Sequence, residues 1–519
     1  MSAPISGQSD ICADVVIVGA GFAGLGMAIA LDKSGRHDYV ILEKASEIGG
    51  TWRENTYPGC ACDIRSLLYS FSFEPKRDWS RQYPRQPEIL DYLRHCVDRY
   101  DLAGRIEFGA EAISMTYDDE KARWAVLLAD GRTARCRVLM TALGPLHQPN
   151  IPAIPGAGSF TGPAFHSAQW DHSVDLTGKR VAVIGTGASA IQLVPQVTRQ
   201  AGRLTVFQRT PPWVLPKPDR PLTGRMHALF RRVPGFQRAY RWLIYWENES
   251  QIVAFTRPRL AGLGERMARA FIARQIPDPD LRAKVTPGYR MGCKRVLLAS
   301  DYYPALTEPH VDLVTEAVTA ITPGGVIAAD GTEHPADVIV YSTGFHVTDA
   351  FAEADITGAN GRTITDAWRD GVEAYLGLAV AGFPNFFVLL GPNSGLGHNS
   401  MIFMIESQVH YVLKCLDLID KKGTVAVSDQ AQRRFNASLQ QRLTGSVWTA
   451  GGCTSWYLDS AGVNRALWPG STVAYWWRTR RLDGGDFEPA RVMASGAAAA
   501  DGPGRTVERA GMPSGSTVR

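Results

Sequence analysis

The run Asp14-Val15-Val16-Ile17-Val18-Gly19-Ala20-Gly21-Phe22-Ala23-Gly24 sets the class of fold. Its consecutive β-branched residues read as a central parallel strand covered on both faces. The strand ends at Gly19, where the chain must turn tightly. Gly21 lets backbone approach a pyrophosphate, and Gly24 lets the next helix pack close to the strand. A helix is predicted from about Phe22 to Ser34, its N-terminus aimed at the phosphates. A second strand, Tyr39 to Leu42, ends at Glu43, 24 residues beyond Gly19. That is where the fold places a carboxylate on a ribose 2′-OH. The glycines alone would be only a tight turn; strand, helix and acid in register make a dinucleotide cradle.

The pattern returns. Lys179-Arg180 leads into Val181-Ala182-Val183-Ile184 and then Gly185-Thr186-Gly187-Ala188-Ser189-Ala190, with alanine for the last glycine. The fingerprint tolerates that exchange. Pro195 is expected to kink the helix that follows. The next strand, Leu204 to Phe207, leads to Gln208-Arg209-Thr210, and Arg209 lies 24 residues beyond Gly185. A carboxylate there would repel a 2′-phosphate, whereas a guanidinium matches one. The first cradle is therefore read as binding FAD and the second as binding NADPH. A slip of one turn would leave Arg209 in solvent instead.

The chain of 519 residues is too long for one core and implies two or three domains. With 45% hydrophobic and 20% charged residues it has the composition of a soluble globular enzyme. A formal charge of +4 gives no argument for nucleic acid or an anionic surface as the main partner. The eight cysteines lack zinc-ribbon or C-x-x-C spacing, no metal site is expected, and all are read as reduced thiols of a cytoplasmic protein. The N-terminus has neither the basic region nor the apolar core of a signal peptide. Residues 374–391 are apolar and nearly long enough to span a membrane. Glycines and Gly382-Phe383-Pro384-Asn385 interrupt them, so two buried strands joined by a turn fit better.

Between the cradles lies Phe160-Thr161-Gly162-Pro163-Ala164-Phe165-His166-Ser167-Ala168-Gln169-Trp170-Asp171. The pattern F-x-G-x-x-x-H-x-x-x-W-[PD], here Phe160, Gly162, His166, Trp170 and Asp171, resembles the signature of flavin-dependent Baeyer–Villiger monooxygenases. Gly49-Gly50-Thr51-Trp52 with Tyr57-Pro58-Gly59 and Cys62-Asp63 is similar to the FAD-contacting segment of the same family. The resemblance places Thr51, Trp52, Asp63, Tyr69, Ala112 and Met401 against FAD, and Ala61 to Asp63 near the nicotinamide. It assigns NADPH to Gln192, Arg209, Thr210 and Lys294 along with the second glycine turn. It makes Arg295 the active-site arginine and His166 an orderer of the two domains rather than a proton donor. Without it, Asp63 could be a turn or capping aspartate, and Lys294-Arg295 a surface pair.

The expected architecture is α/β, with two Rossmann-like dinucleotide-binding domains (FAD and NADP) and a helical insertion in the NADP domain. The FAD part is expected at 1–150 and 346–490, a linker at 151–178, and the NADP part at 179–211 and 285–345. The insertion would span 212–284 and a disordered tail 491–519. Residues 105–138 alternate as an antiparallel meander, and 337–345 read as a buried strand ending in a glycine turn. The aromatics of the insertion, among them Trp213, Trp242, Tyr245 and Trp246, are expected to be buried, the alternative being an amphipathic surface that touches membrane. Gly391-Pro392-Asn393-Ser394-Gly395 is expected to open a helix that places Met401 near the flavin. The segments 452–457 and 464–470 depart from the best-known cyclic-ketone enzymes.

No C-x-x-x-x-C pair stands on the first helix, which argues against a disulfide reductase. The resemblance implies an enzyme that uses NADPH and O2 to convert a ketone to an ester or lactone through a flavin C4a-peroxide. In it, Arg295 would stabilise negative charge and Asp63 would orient Arg295. The alternatives are a flavin monooxygenase acting on the nitrogen or sulfur of an amine or thioether, and a non-catalytic nucleotide-binding module. Monomer and homo-oligomer both remain open.

Overall fold

The computed structural model describes residues 9–257, 261–347 and 355–489. Val15–Val18 is the middle strand of a five-stranded parallel sheet, in the order Phe386–Val388, Val138–Thr141, Val15–Val18, Tyr39–Glu43, Ile106–Phe108. Alternate side chains enter two cores, as the period of a strand requires. Val15 and Ile17 pack with the helix Phe22–Lys33, whereas Val16 and Val18 pack with Trp124, Val126 and Phe386. A Cβ at Gly24 would sit 1.9 Å from the carbonyl oxygen of Gly19, so the helix can approach the turn only with glycine there.

The alternating stretch forms the antiparallel strands Ala112–Asp118, Arg123–Leu128 and Thr133–Cys136, with Asp355–Thr357 and Ile11–Cys12 at the edges. The second parallel sheet runs Val311–Val314, Arg203–Phe207, Arg180–Ile184, Val338–Tyr341, Ala164–His166. Part of the Phe160–Asp171 stretch is thus an edge strand of this sheet. The helix Ala190–Thr198 continues through Pro195 as one element.

Between the short parallel pair Val214–Leu215 and Leu297–Leu298 stand the helices Gly224–Arg232, Phe236–Ser250, Ile252–Thr256, Ala261–Gln275 and Pro279–Val285. Trp213 and Tyr245 are buried as expected, but Trp242 and Trp246 are exposed, which corrects the expectation for these two. They fall on the outer side of their helix, opposite the buried Ile244, where no described element covers them. Among the described residues, no helix is long and apolar enough to cross a membrane.

Three further expectations are corrected. Only Phe386–Val388 of residues 374–391 is a strand. Leu376 and Gly377 take φ of 56° and 64°, which folds Tyr375 back onto Ala379 as a buried turn. Gly391-Pro392-Asn393-Ser394-Gly395 does not open a helix. It runs beside 464–468, with the Asn393 and Gly395 amides donating to the carbonyls of Arg465 and Ala466 at 2.9 Å, and the helix Met401–Lys422 begins only after the Ser400 cap. Finally, Cys293 and Cys453 are joined in a disulfide, whereas the other six cysteines are free thiols. The Arg290 amide donates to the Gly451 carbonyl at 3.1 Å, docking the two loops so that the cysteine Cα atoms lie 6.1 Å apart. A separation of 160 residues hides such a pairing from spacing arguments. The tail expected at 491–519 lies outside the described residues.

Candidate active site

Both glycine turns open into one cavity of about 1430 Å3. Gly19 and Gly185 share a φ of 109°, a left-handed conformation that excludes other residues. A Cβ would lie 2.7 Å from the Ala142 carbonyl oxygen at Gly19 and 2.4 Å from that of Ser342 at Gly185. Gly21, Gly187, Ala188 and Ser189 line the cavity, and nothing stands within 4 Å of a Cβ built on Gly187. Backbone can therefore meet a pyrophosphate in both cradles. Gly24 and Ala190 lie behind the turns, in the helix packing.

In the first cradle Glu43 is buried at the end of its strand and accepts the Ala20 amide at 2.8 Å and the Ala45 amide at 3.1 Å. Glu43 also lines the cavity, and it is the residue that would hold a ribose hydroxyl in this cradle. Thr51 and Trp52 belong to the short helix Thr51–Glu54, and the Trp52 indole donates to the Tyr69 hydroxyl at 3.1 Å. Thr51, Trp52, Tyr69, Ala112 and Met401 all border the cavity.

In the second cradle Arg209, Thr210 and Lys294 reach the wall, and the Thr186 hydroxyl donates to the Thr210 carbonyl at 3.3 Å. Burial lowers the Lys294 pKa, and the neighbouring Arg209 lowers it further. Neither cation has an acidic partner among the described residues. An anion shared by both would remove that repulsion, and a 2′-phosphate has the charge to do so. The residues present therefore fit FAD in one cradle and NADPH in the other.

Asp63 and Arg295, 232 residues apart in sequence, meet on the cavity wall. The guanidinium donates to one carboxylate oxygen through Nε at 3.0 Å and Nη2 at 2.6 Å. Their side chains keep 34% and 22% of their exposure, for Arg295 and Asp63, so the cation is fixed yet still faces the cavity. Burial pushes the Asp63 carboxyl up, but Arg295 and then Lys217 outweigh it and hold the group below its usual range. Asp63 in turn raises the Arg295 pKa against burial, so the arginine stays charged.

Gln192 ties the two halves together. Its side-chain oxygen accepts from the Tyr57 hydroxyl at 2.9 Å and the Ala61 amide at 3.2 Å, and its Nε2 donates to the Ala61 carbonyl at 3.0 Å. The signature residues sit outside the cavity lining, although their neighbours Ala168 and Gln169 reach it. His166 is fully buried and its Nδ1 accepts the Ala168 amide at 3.1 Å. Burial lowers the ring pKa to about 4, against a smaller upward pull from the Gly344 backbone, so it is neutral. Phe160 packs in a core with Ile321 and Ile339; a Cβ at Gly162 would lie 2.2 Å from the Asp337 carbonyl oxygen. Trp170 packs edge-on against Phe165, and Asp171 accepts from Ser173.

Two groups beside the pair escaped the sequence reading. Lys217 donates to the Cys62 carbonyl at 3.1 Å, next to Asp63. Tyr457 is buried against Arg295, and burial pushes its phenol up to about 12. Nothing in a loop sequence such as Pro216-Lys217-Pro218 signals such a position.

A family model described as pyridine nucleotide-disulphide oxidoreductase matches residues 16–224. A Baeyer–Villiger monooxygenase of Streptomyces coelicolor is 46% identical over 497 residues, covering 94% of this chain and 96% of that one. Among solved structures, cyclohexanone monooxygenase from Rhodococcus sp. Phi1 bound to NADP+ matches with a TM-score of 0.84 and 29% identity, over 93% of this chain and 99% of that one. The OTEMO complex with FAD and NADP also gives a TM-score of 0.84, at 26% identity, over 93% of this chain and 100% of that one. Two cradles facing one cavity, and similarity that runs along nearly the full length of these proteins, show that the chain belongs to the FAD- and NADPH-dependent Baeyer–Villiger monooxygenases.

Proposed function

We propose that the protein inserts one oxygen atom of O2 beside the carbonyl of an apolar ketone, giving an ester or lactone, with Arg295 as the catalytic cation. The observation that carries this reading is the Asp63–Arg295 pair on the wall of a cavity shared by both cradles. Bound FAD, reduced by NADPH, supplies the oxygen activation. The protein's own residues supply placement and charge. Arg295 faces the substrate carbonyl and offsets the negative charge that gathers on its oxygen as the new C–O bond forms. Asp63 fixes the direction of the guanidinium and neutralises part of its charge, and Lys217 steadies the Asp63 loop. Arg209 and Lys294 hold the 2′-phosphate, while Glu43 holds the ribose in the other cradle. Gln192 keeps the two cradles in register.

The substrate is proposed to lie beside Trp456, which borders the cavity with its ring 4.4 Å from that of Tyr457, the neighbour of Arg295. An indole wall beside a fixed cation suits an apolar body that carries one carbonyl. The same reading places the enzyme in the cytoplasm, where NADPH is regenerated.

The test is product identification with the holoenzyme, NADPH, isotopically labelled dioxygen and a panel of linear, cyclic and aryl ketones. An ester or lactone carrying a single labelled oxygen is expected from at least one ketone. Should every ketone be returned unchanged while thioethers become labelled sulfoxides, the proposal is wrong.

A further inference from the structure

The helix Phe236–Ser250 presents two unlike faces. Inward, Ile244 is buried, the Tyr245 hydroxyl pairs with that of Thr472 at 2.7 Å, and Glu249 accepts from Asn399 and from the Thr472 amide, each at 2.6 Å. Outward, Trp242, Leu243 and Trp246 are 51%, 63% and 54% exposed. They share one side of the helix by their spacing, and the two indoles stack with centroids 6.5 Å apart. The preceding helix Gly224–Arg232 packs against this one and adds exposed Leu229 and Val233 at its end.

The charge around this apolar face is mostly positive, and the exposed Glu247 that follows Trp246 is paired with Arg65 at 2.5 Å. From Arg220 to Trp246 the chain carries six arginines and neither aspartate nor glutamate. Arg225, Arg231, Arg232 and Arg238 are exposed, and none makes an ion pair among the described residues. The sixth, Arg241, is turned inward onto the carbonyl oxygens of Leu67 and Ser70. A second copy of the chain docking through the same patch would bring these cations face to face, since a two-fold contact pairs a surface with itself. A bilayer with anionic headgroups offers what the face lacks. Indoles favour the boundary between acyl chains and headgroups, and arginine stems reach along apolar surface to leave their charges at phosphate level.

We infer that this face, Trp242, Leu243 and Trp246 with the surrounding arginines, docks the enzyme on the surface of an anionic phospholipid bilayer. The helix lies in the plane of the interface, its indoles below the phosphates and its guanidinium groups among them. No helix of the described residues crosses the bilayer in this arrangement. The inner side of the same helix holds Asn399, a residue of the cavity wall, so the docked enzyme has its chamber one helix away from the lipid.

The experiment is co-sedimentation of the flavin-loaded full chain with vesicles of pure phosphatidylcholine and with vesicles containing phosphatidylglycerol, across a range of salt. Binding is expected to the second kind alone and to weaken as salt rises. The Trp242→Ser, Leu243→Ser, Trp246→Ser variant and the Arg231→Glu, Arg232→Glu variant should each bind at least about tenfold more weakly. Both should keep the flavin absorbance and the NADPH oxidation rate of the parent, which shows that they fold. Failure of the parent to bind anionic vesicles overturns the inference, and so does parental binding by the two variants. Light scattering supplies the remaining outcome: a dimer that both variants dissociate, with no vesicle binding by the parent, would assign the face to a second copy instead.

Discussion

Arg209 and Lys294 approach each other on the cavity wall without a carboxylate to join them, and burial and Arg209 together lower the Lys294 pKa. Such a pair is costly unless an anion lies between its members, which supports the proposal that the two hold the 2′-phosphate. A charge-assisted hydrogen bond to phosphate contributes about 1.5–3 kcal/mol. Arg209→Ala or Lys294→Ala should therefore raise the KM for NADPH by about 10- to 100-fold. The KM for NADH, which lacks the phosphate, should hardly change. Steady-state kinetics with both coenzymes measures this, and an undiminished preference for NADPH in both variants would move the phosphate elsewhere. The two residues were not equally legible in the sequence. The position of Arg209 follows from the nearly constant length of a strand, turn, helix and strand, whereas Lys294 was found only through family resemblance. Lys217 and Tyr457 were missed because they reach Asp63 and Arg295 from irregular loops, where no period ties a side chain to a place.

Regular segments behaved as their patterns required. Val15–Val18 and Arg180–Ile184 are central strands because branched residues follow one another without a polar break, so both faces must be covered. The apolar run at 374–391 misled for a related reason: nearly all of it is buried, but Leu376 and Gly377 turn the chain with positive φ, which apolarity does not reveal. The Cys293–Cys453 bond was likewise hidden. It couples the loop that carries Lys294 and Arg295 to the segment Thr454, Ser455 and Trp456 on the cavity wall. Closing a loop of this length removes unfolded-chain entropy equivalent to about 5 kcal/mol. Reduction with a dithiol should lower the melting temperature of the holoenzyme, and Cys293→Ser should lower it equally while becoming insensitive to the reductant. Equal melting of oxidised and reduced parent would remove the bond from the account.

The two parallel sheets, the second of them interrupted by the insertion, place a pair of nucleotide cradles around one cavity, and the chain returns to the first sheet at Phe386–Val388 only after completing the second. That much could be anticipated, since the glycine turns recur and the strands that complete each sheet are plain. The outward face of the insertion could not. Helical spacing showed that the aromatics cluster, but only packing shows which of them point away from the protein. The reaction proposed for this arrangement depends on a cation fixed beside the substrate carbonyl. Its test is the ratio of ester to hydrogen peroxide formed by Arg295→Ala for each NADPH consumed. The variant should still bleach the flavin with NADPH, yet its ester share should fall by about 100-fold or more, with peroxide making up the difference. Ester formed at the parental share by that variant would contradict the role given to Arg295.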